Sequence, residues 1–397
     1  MLSLCKTNSV NYSDSATITS NRFKKYSLFS LYDYLPKKFI LFEVKKIQNK
    51  KISKLILNHL KIYKLPINKI MQISDFKDAI RCVCFSPNGK YLGAGCWDNT
   101  ATIYKIINCT NINPIPLIKF ISHTNSIFSV DFSHSGKYFA TASNDKTANI
   151  HYIMDFEDRL LENENIDKSS NNPAIISEHT KAVLSVNFCP LNSTSINKNV
   201  EYIATSSEDI TILVNEISHV DSQFTIKLVH KLDYHKDYIS SIRFSPSGYF
   251  LASGSDDSSS IIYNLETKTT VAILIFNSDI LSVSFSPFED NYAVACKKSA
   301  YLYKIDLLNG KSDNLVKLKN HTGHINSISF SATGDYLATA SDDRQIFIYW
   351  TKKNDKNFGK LISHLHEHSS YIVSISFSSC GRFFASGGVD KKIVIYK

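Results

Sequence analysis

The sequence predicts an all-β fold built from seven copies of one short unit, and three repeated features support this. Each copy contains an apolar run that ends in a phenylalanine, and these residues are Phe85, Phe132, Phe188, Phe244, Phe285, Phe330 and Phe377. A turn of the Ser-Pro-Asn-Gly type follows, as at 86–89 and 245–248. A strand of small residues comes next, and a tight turn centred on Asp leads into a third strand. Short apolar strands separated by such turns are typical of antiparallel sheets.

The spacing of the units predicts how they assemble. Neighbouring phenylalanines lie 41 to 56 residues apart, which matches the period of about 40 to 45 residues of four-stranded propeller blades once loop insertions are added. We therefore predict a seven-bladed β-propeller of four-stranded antiparallel blades over residues 66–397. A shorter arm, residues 1–65, precedes it.

The positive charge of the chain lies in the arm. The 397 residues are 43% hydrophobic and carry a formal net charge of +9. Residues 1–65 hold 13 Lys and Arg against Asp14, Asp33 and Glu43, a sum of +10, so the remainder carries −1. The propeller therefore offers no electrostatic reason to bind nucleic acid.

Cysteine usage and hydropathy bear on the compartment. The cysteines are scattered and most lie in apolar runs, where cysteine acts as a small hydrophobic residue. The first residues lack the apolar core of a secretion signal, and no apolar run approaches the ~18 residues of a membrane-spanning helix. We predict an intracellular protein, cytoplasmic or nuclear, without membrane insertion.

The arm combines two kinds of segment. Residues 1–20 are rich in Ser, Thr and Asn without periodicity, which predicts disorder. Apolar residues at 49–64, from Ile52 to Tyr63, recur at helical spacing among lysines, which predicts a basic amphipathic helix. Such a helix either packs on the neighbouring domain or binds a partner or an anionic membrane. The first reading is favoured because most amphipathic helices face a core.

The seven units resemble the WD-repeat family over residues 68–397. The resemblance implies a structural polar pair in each unit, a His before the first strand and an Asp in the turn before the third. Five units contain this pair, at His123 with Asp145, His179 with Asp209, His235 with Asp257, His321 with Asp343, and His368 with Asp390. The buried partners are expected to satisfy each other's hydrogen bonds.

The sequence departs from the family pattern at two kinds of position. The Trp that normally closes each unit is replaced throughout, by Tyr104, His151, Asn215, Tyr263, Tyr303, Tyr349 and Tyr396, while Trp350 lies one residue late. Units one and five carry Phe76 and Phe276 in place of the His, and Lys297 replaces the turn Asp in unit five. We expect the edges of blades one and five to be held least firmly, because these units lack the His–Asp pair.

The resemblance also implies how the ring closes. In this family each unit begins with the outer strand of one blade, so the last blade receives its fourth strand from the N-terminal side. Residues 68–74 are the segment placed to supply it. By the same topology, insertions at 155–172 and 191–200 emerge together on the lower face, either as a partner-binding flap or as neutral changes of loop length.

Two clusters suggest metal binding, and both have a simpler explanation. His364, His366 and His368 alternate along an extended segment, but His368 already fills the His position of its unit. Cys82 and Cys84 form a C-x-C pair without a second pair at suitable spacing, which favours buried packing. We predict no metal, no cofactor and no small-molecule substrate.

The upper rim of the propeller contains the candidate binding residues. Glu208, Asp256 and Asp342 precede the turn Asp of their units, and Trp97 occurs in the corresponding turn of the first. The positions five residues beyond the opening His join them on the rim: Arg81, Phe128, Leu184, Ser240, Leu281, Asn326 and Val373. Aromatic and Arg anchors in a polar surround are typical of peptide-binding surfaces. The alternative is that some of these side chains turn inward and fill the blades.

These features predict a non-catalytic scaffold that binds protein or peptide partners and helps to assemble a multiprotein complex. No nucleophile with its base and no nucleotide loop accompanies the rim acids, which argues against an enzyme. Two alternatives are a substrate receptor of a ubiquitin ligase, suggested by Leu35-Pro36 before an apolar helix, and a transcriptional co-repressor. For the latter, residues 80–95 are similar to the first blade of Tup-type co-repressors.

Overall fold

The structure, a computed structural model, describes residues 67–106, 115–153, 173–190, 200–220, 223–307, 309–352 and 355–397. The chain divides into two units, Met1–Lys61 and Ile62–Lys397, and all these residues belong to the second. The expected disorder at 1–20 and helix at 49–64 lie outside the described residues. So do residues 155–172 and 191–199 of the two insertions. Nowhere in the described ranges is there a helix of the length and hydrophobicity needed to cross a membrane.

Within these ranges the chain forms seven separate four-stranded antiparallel sheets, which confirms the predicted seven-bladed propeller. Blades one to four comprise β2 Ile80–Phe85, β3 Tyr91–Cys96, β4 Ala101–Lys105, β5 Ile115–Phe120; β6 Ile127–Phe132, β7 Tyr138–Ser143, β8 Ala148–Tyr152, β9 Ala174–Ile176; β10 Val183–Phe188, β11 Val200–Ser207, β12 Ile212–Val220, β13 Gln223–Leu232; and β14 Ile239–Phe244, β15 Phe250–Ser255, β16 Ser259–Asn264, β17 Thr269–Ile275.

Blades five to seven comprise β18 Ile280–Phe285, β19 Tyr292–Cys296, β20 Ser299–Asp306, β21 Lys311–Leu318; β22 Ile325–Phe330, β23 Tyr336–Ser341, β24 Ile346–Trp350, β25 Leu361–Leu365; and β26 Ile372–Phe377, β27 Phe384–Gly388, β28 Ile393–Tyr396 with β1 Lys69–Ile73. Each blade's first strand is innermost and contacts the first strands of both neighbours, and β26 contacts β2. The inner strands therefore form a closed ring.

Blade seven takes its outer strand from the N-terminal side of the propeller. β1 pairs antiparallel with β28, with Lys69 opposite Tyr396 and Ile73 opposite Ile393. The Lys397 N–H donates to the carbonyl oxygen of Asn68 at 2.8 Å, which extends the pairing by one residue. The two ends of the described chain are thus joined in one sheet.

Small residues in the second strands allow neighbouring blades to approach closely. In β3, a Cβ atom added at Gly93 would lie 2.6 Å from the Phe139 ring of blade two, so only glycine fits there. The alanines of β23 and β27 are likewise fully buried, together with the aromatic Phe384 and Tyr396. Close packing between sheets thus explains why these strands read as small residues.

A ring of hydrogen bonds links the inner strands from blade to blade. The residue two beyond the start of each inner strand accepts a hydrogen bond from a backbone N–H of the next blade: Ser129 from Val186, Ser185 from Ile242, Ser241 from Val283, Ser282 from Ile328, Ser327 from Ile375 and Ser374 from Val83, at 3.0 to 3.5 Å. Cys82 occupies the same position in blade one, against the N–H of Val130, and burial raises the pKa of its thiol to about 12. Buried packing was the role expected of Cys82, and this ring was not predicted from the sequence.

Replacing one hydroxyl of this ring should destabilise the propeller measurably. We expect Ser282→Ala to lower the free energy of unfolding by about 1–2 kcal/mol, because the buried N–H of Ile328 loses its acceptor. Urea denaturation followed by circular dichroism measures the change. Ser312→Ala on the exposed face of β21 is the control and should leave stability unchanged. Equal stability of the two variants would show that the ring contributes nothing.

Candidate functional site

The second residue of every inner strand lies in a register shift of the sheet. These shifts occur at Arg81, Phe128, Leu184, Ser240, Leu281, Asn326 and Val373, the positions that the sequence analysis assigned to the upper rim. A bulge leaves one residue out of the pairing and redirects its side chain. All but Val373 are partly exposed, and Val373 is buried.

In two blades the bulge residue hydrogen-bonds a carboxylate of the same blade's upper turn. Ser240 Oγ donates to Asp256 Oδ1 at 2.9 Å. Asn326 Nδ2 donates to Asp342 Oδ1 at 2.7 Å and also lies 3.0 Å from the carbonyl oxygen of Ile372 in blade seven. Each pair is separated by 16 residues in the sequence, a repeated spacing that could have revealed the contact.

Blade one places an aromatic residue where these blades have an acid. Arg81 and Trp97 have the same 16-residue separation, and the Arg81 guanidinium carbon lies 5.9 Å from the centre of the indole. It also lies 5.5 Å from the Phe128 ring of blade two, so that both rings are within cation–π range. Trp97 is 38% exposed, while Arg81 and Phe128 are partly buried. The structure thus unites three of the predicted rim residues in one cluster, hereafter the Arg81 cluster.

The opposite part of the rim carries several acidic side chains, beside the exposed Lys181 and Lys236. Burial raises the pKa of Asp256, the hydrogen bond from Ser240 opposes this, and the nearby Asp279 and Asp237 raise it further. Glu208 lies partly exposed in the turn of blade three, and the bulge residues Leu184 and Leu281 of blades three and five are also partly exposed. The upper side of the propeller therefore combines two aromatic-flanked cations, Arg81 and Lys181, the second 5.5 Å from the Tyr238 ring, with several carboxylates.

All five predicted His–Asp pairs form direct contacts. The Nδ1 atom lies 2.8 to 2.9 Å from an Asp oxygen in the pairs of His123 with Asp145, His179 with Asp209, His235 with Asp257, His321 with Asp343, and His368 with Asp390. Each Nε2 lies 2.6 to 2.9 Å from a buried hydroxyl: Thr141, Thr205, Ser253, Thr339 and Ser386. A carboxylate only accepts, so each imidazole donates from Nδ1 and accepts at Nε2.

The electrostatics of these pairs fit a structural role. Burial lowers the pKa of His179, although its bond to Asp209 opposes the shift. Burial alone would raise the pKa of Asp209, but hydrogen bonds from Thr211, the N–H of Thr180 and His179 outweigh it and hold the pKa at about 2. At neutral pH the pair is thus a neutral imidazole with a carboxylate, and both ring nitrogens are occupied.

Blades one and five replace the pair by aromatic contacts. Phe76 lies edge-on to Tyr104 at 5.9 Å between ring centres, and Phe276 lies edge-on to Tyr303 at 6.1 Å. In blade five only Lys297 and Lys298 separate β19 from β20. This turn is too short to contain the Asp position at all.

His364, His366 and His368 do not converge as three metal ligands. Both ring nitrogens of His368 lie within hydrogen-bond distance of side chains in its own blade, whereas His364 and His366 lie exposed with ring centres 4.5 Å apart. Across the described ranges no group of three or more His, Cys, Asp or Glu side chains is arranged to hold a metal ion. Cys84 is packed among buried residues, and burial raises the pKa of its thiol.

The fold and the His–Asp pairs of five blades define a class of protein, the seven-bladed propeller with a His–Asp pair at the blade edge. Five segments match the family described as "WD domain, G-beta repeat": residues 68–105, 115–151, 226–264, 312–349 and 359–397. The chain belongs to this WD-repeat family.

Several curated proteins share part of the chain. It is 28% identical over 160 residues to the chromatin assembly factor 1 subunit FAS2 homolog of Oryza sativa subsp. japonica, covering 38% of this chain and 31% of that protein. It is 32% identical over 131 residues to the protein hir1 of Aspergillus terreus, covering 32% and 12%. It is 29% identical over 127 residues to the protein SOF1 of Saccharomyces cerevisiae, covering 32% and 26%. The chain thus spans less than a third of the length of these relatives.

Proposed function

We propose that this protein is a non-catalytic subunit of a multiprotein complex and binds a segment of a partner protein on the upper rim of the propeller. The Arg81 cluster carries the proposal. Trp97 is a large, exposed aromatic side chain beside a guanidinium, and such residues dominate the binding energy of protein interfaces. The acids and aliphatic residues on the other blades of the rim supply a polar surround with apolar patches.

The relatives support a setting in chromatin. One of them is named as a subunit of a chromatin assembly factor, and its similarity to this chain extends over 160 residues. We infer from this that the partner is a protein of a nuclear complex and that the propeller works in the nucleus. The basic arm at 1–65, which carries a net charge of +10, would add attraction to acidic partners or nucleic acid there.

Removing the two rings of the Arg81 cluster tests this proposal. We expect the double variant Trp97→Ala and Phe128→Ala to lose the partner that the wild-type protein captures from nuclear extract, because the anchors of the rim are gone. Affinity capture with quantitative mass spectrometry measures the loss. Melting temperatures of the purified proteins show whether the propeller remains folded.

Tyr249→Ala provides the matched control. Tyr249 is 43% exposed and precedes the second strand of blade four, at the opposite end of the propeller. It should retain the partners of the wild-type protein. If the Tyr249 variant loses the partner and the double variant keeps it, binding occurs on the lower face. If the double variant is unfolded, the two rings belong to the core.

A further inference from the structure

Arg81 is the one bulge residue on the rim that carries a full charge. The others are Phe128, Leu184, Ser240, Leu281, Asn326 and Val373. In blades four and six, where the bulge residue is a hydrogen-bond donor, the residue 16 positions on is an acid that accepts from it. In blade one that residue is Trp97. The blade therefore presents a cation without the acid that the same geometry supplies elsewhere.

The N–H donors of the Arg81 guanidinium are available to a ligand. Within the described residues no hydrogen bond or ion pair of this guanidinium occurs, and its contacts are the rings of Trp97 and Phe128. A guanidinium is planar and carries five N–H donors around its edge. Aromatic rings contact the face of the guanidinium and accept few hydrogen bonds from its N–H groups. The edge of the guanidinium can therefore still donate two parallel hydrogen bonds to one carboxylate.

The surroundings favour an anion at this edge. Arg81 is partly withdrawn from water, and desolvation lowers the pKa of its guanidinium, while the field of Asp342 opposes the shift. A cation that has lost hydration gains more from a bound anion than an exposed one does. The nearby rings also exclude water from any bond formed there.

The charge of the rim limits how negative the ligand can be. Asp342 acts on Arg81 from blade six, and Asp256 and Glu208 extend the acidic side of the rim through blades four and three. A phosphate carries close to two negative charges at neutral pH and would meet these acids as like charges. A single carboxylate is repelled less, and basic neighbours on the same segment would be attracted.

We propose that Arg81 binds one Asp or Glu side chain of the partner segment, and that Lys or Arg residues flanking this side chain lie against the rim acids Glu208, Asp256 and Asp342. This inference rests on the proposed function and specifies the chemistry of the segment. Trp97 and Phe128 position the guanidinium, and the carboxylate accepts hydrogen bonds from its edge.

Pools of short synthetic peptides test the chemistry without knowledge of the partner. The probes are labelled peptides with randomised flanks and a fixed central residue, which is Glu, Gln or phosphoserine. We expect the Glu pool to bind the full-length protein about tenfold more tightly than the Gln pool, because a charge-assisted pair is stronger than a neutral hydrogen bond. Sequencing of the bound fraction should show enrichment of Lys and Arg in the flanks. Fluorescence anisotropy gives the affinities.

Two substitutions assign the effect to the guanidinium. Arg81→Gln should remove the preference for Glu over Gln, and Arg81→Lys should retain part of it, since the charge remains but the planar fork is lost. Arg344→Gln is the matched control: this arginine is exposed in the upper turn of blade six and the change in charge is the same. The Arg344→Gln variant should prefer the Glu pool over the Gln pool as strongly as the wild type does. Melting temperatures establish that each variant is folded.

Each other result overturns the inference. Equal binding of the Glu and Gln pools, an Arg81→Gln variant that keeps the preference, or no binding of any pool excludes a carboxylate at Arg81. Tighter binding of the phosphoserine pool assigns the position to phosphate instead. The proposed function is judged separately: if the double variant at Trp97 and Phe128 loses its partner while the Glu pool fails, the rim binds by another chemistry.

Discussion

A chain that begins at Asp75 is expected to melt about 10 °C below one that begins at Ile62, because it lacks β1. The deletion exposes the edge of β28 and removes the buried side chain of Ile73 and the partly buried Met71. The lost backbone hydrogen bonds and apolar burial together amount to about 4–6 kcal/mol. This is a large share of the 5–15 kcal/mol by which ordinary domains are stable.

The comparison isolates the closing strand because both chains lack most of the arm. Calorimetry of the two proteins measures the difference. A synthetic peptide spanning residues 66–74, added to the shorter chain, should raise its melting temperature in a concentration-dependent manner, as any ligand of the folded state does. Identical melting of the two chains without peptide would mean that β1 does not contribute to the stability of the ring.

The second large effect is expected at a His–Asp pair. Asp343 accepts from His321 Nδ1 at 2.8 Å, from the N–H of Thr322 at 2.9 Å and from the N–H of Gln345 at 3.0 Å. Asp343→Ala leaves these donors without their acceptor in a largely buried site. We expect it to lower the free energy of unfolding by about 3–5 kcal/mol, which denaturant titration will measure.

The pH dependence of this effect has a definite sign. Burial would raise the pKa of Asp343, but the N–H of Thr322 and His321 outweigh it and lower the pKa below its usual value of 3.8. A carboxylate whose pKa is lower in the folded than in the unfolded state stabilises the fold at pH values above its unfolded-state pKa. This stabilisation is lost as the pH falls through its folded-state pKa. The difference between wild type and Asp343→Ala should therefore shrink below about pH 4.

Controls for Asp343→Ala come from the neighbouring blade and from the pair itself. Asp313 lies on the exposed strand β21, so Asp313→Ala should change stability by less than about 0.5 kcal/mol. The double variant Asp343→Ala with His321→Ala should cost less than the sum of the single variants, because the two residues contact each other. Strict additivity would show that the pair is not coupled energetically.

Much of the fold could be predicted because it follows from short sequence patterns that recur in each unit. Each unit carries its own phenylalanine and small-residue strand, five of the seven have a glycine in the turn between them, and seven copies make the period readable even where single residues deviate. The loss of the closing Trp did not hide the pattern. Tyr349 is fully buried at that position and Trp350 is only partly buried one residue later, because strand alternation places them on opposite faces.

The structural outcome could not be predicted where a residue departs from the repeat pattern. Asn215 stands where the family has Trp and is fully buried, yet neither its amide nitrogen nor its amide oxygen has a hydrogen-bond partner within the described residues. Nothing in the structure explains this residue. Lys297 was aligned with the turn Asp from sequence, but the structure shows a turn too short to hold that residue, because β20 begins at Ser299.

The sequence by itself determined the class of fold, the number of blades and the residues of the His–Asp pairs, since these depend on spacing within one unit. Only the tertiary structure decided which rim residues touch. Arg81 meets Phe128 across a blade boundary, and Val83 meets Ser374 across 291 residues of chain. The first contact joins equivalent positions one unit apart, 47 residues along the chain, whereas the second requires the ring to close, because it joins the first and last units. The Arg81 cluster forms because blades one and two pack side by side, which brings the bulge residues of their inner strands into contact.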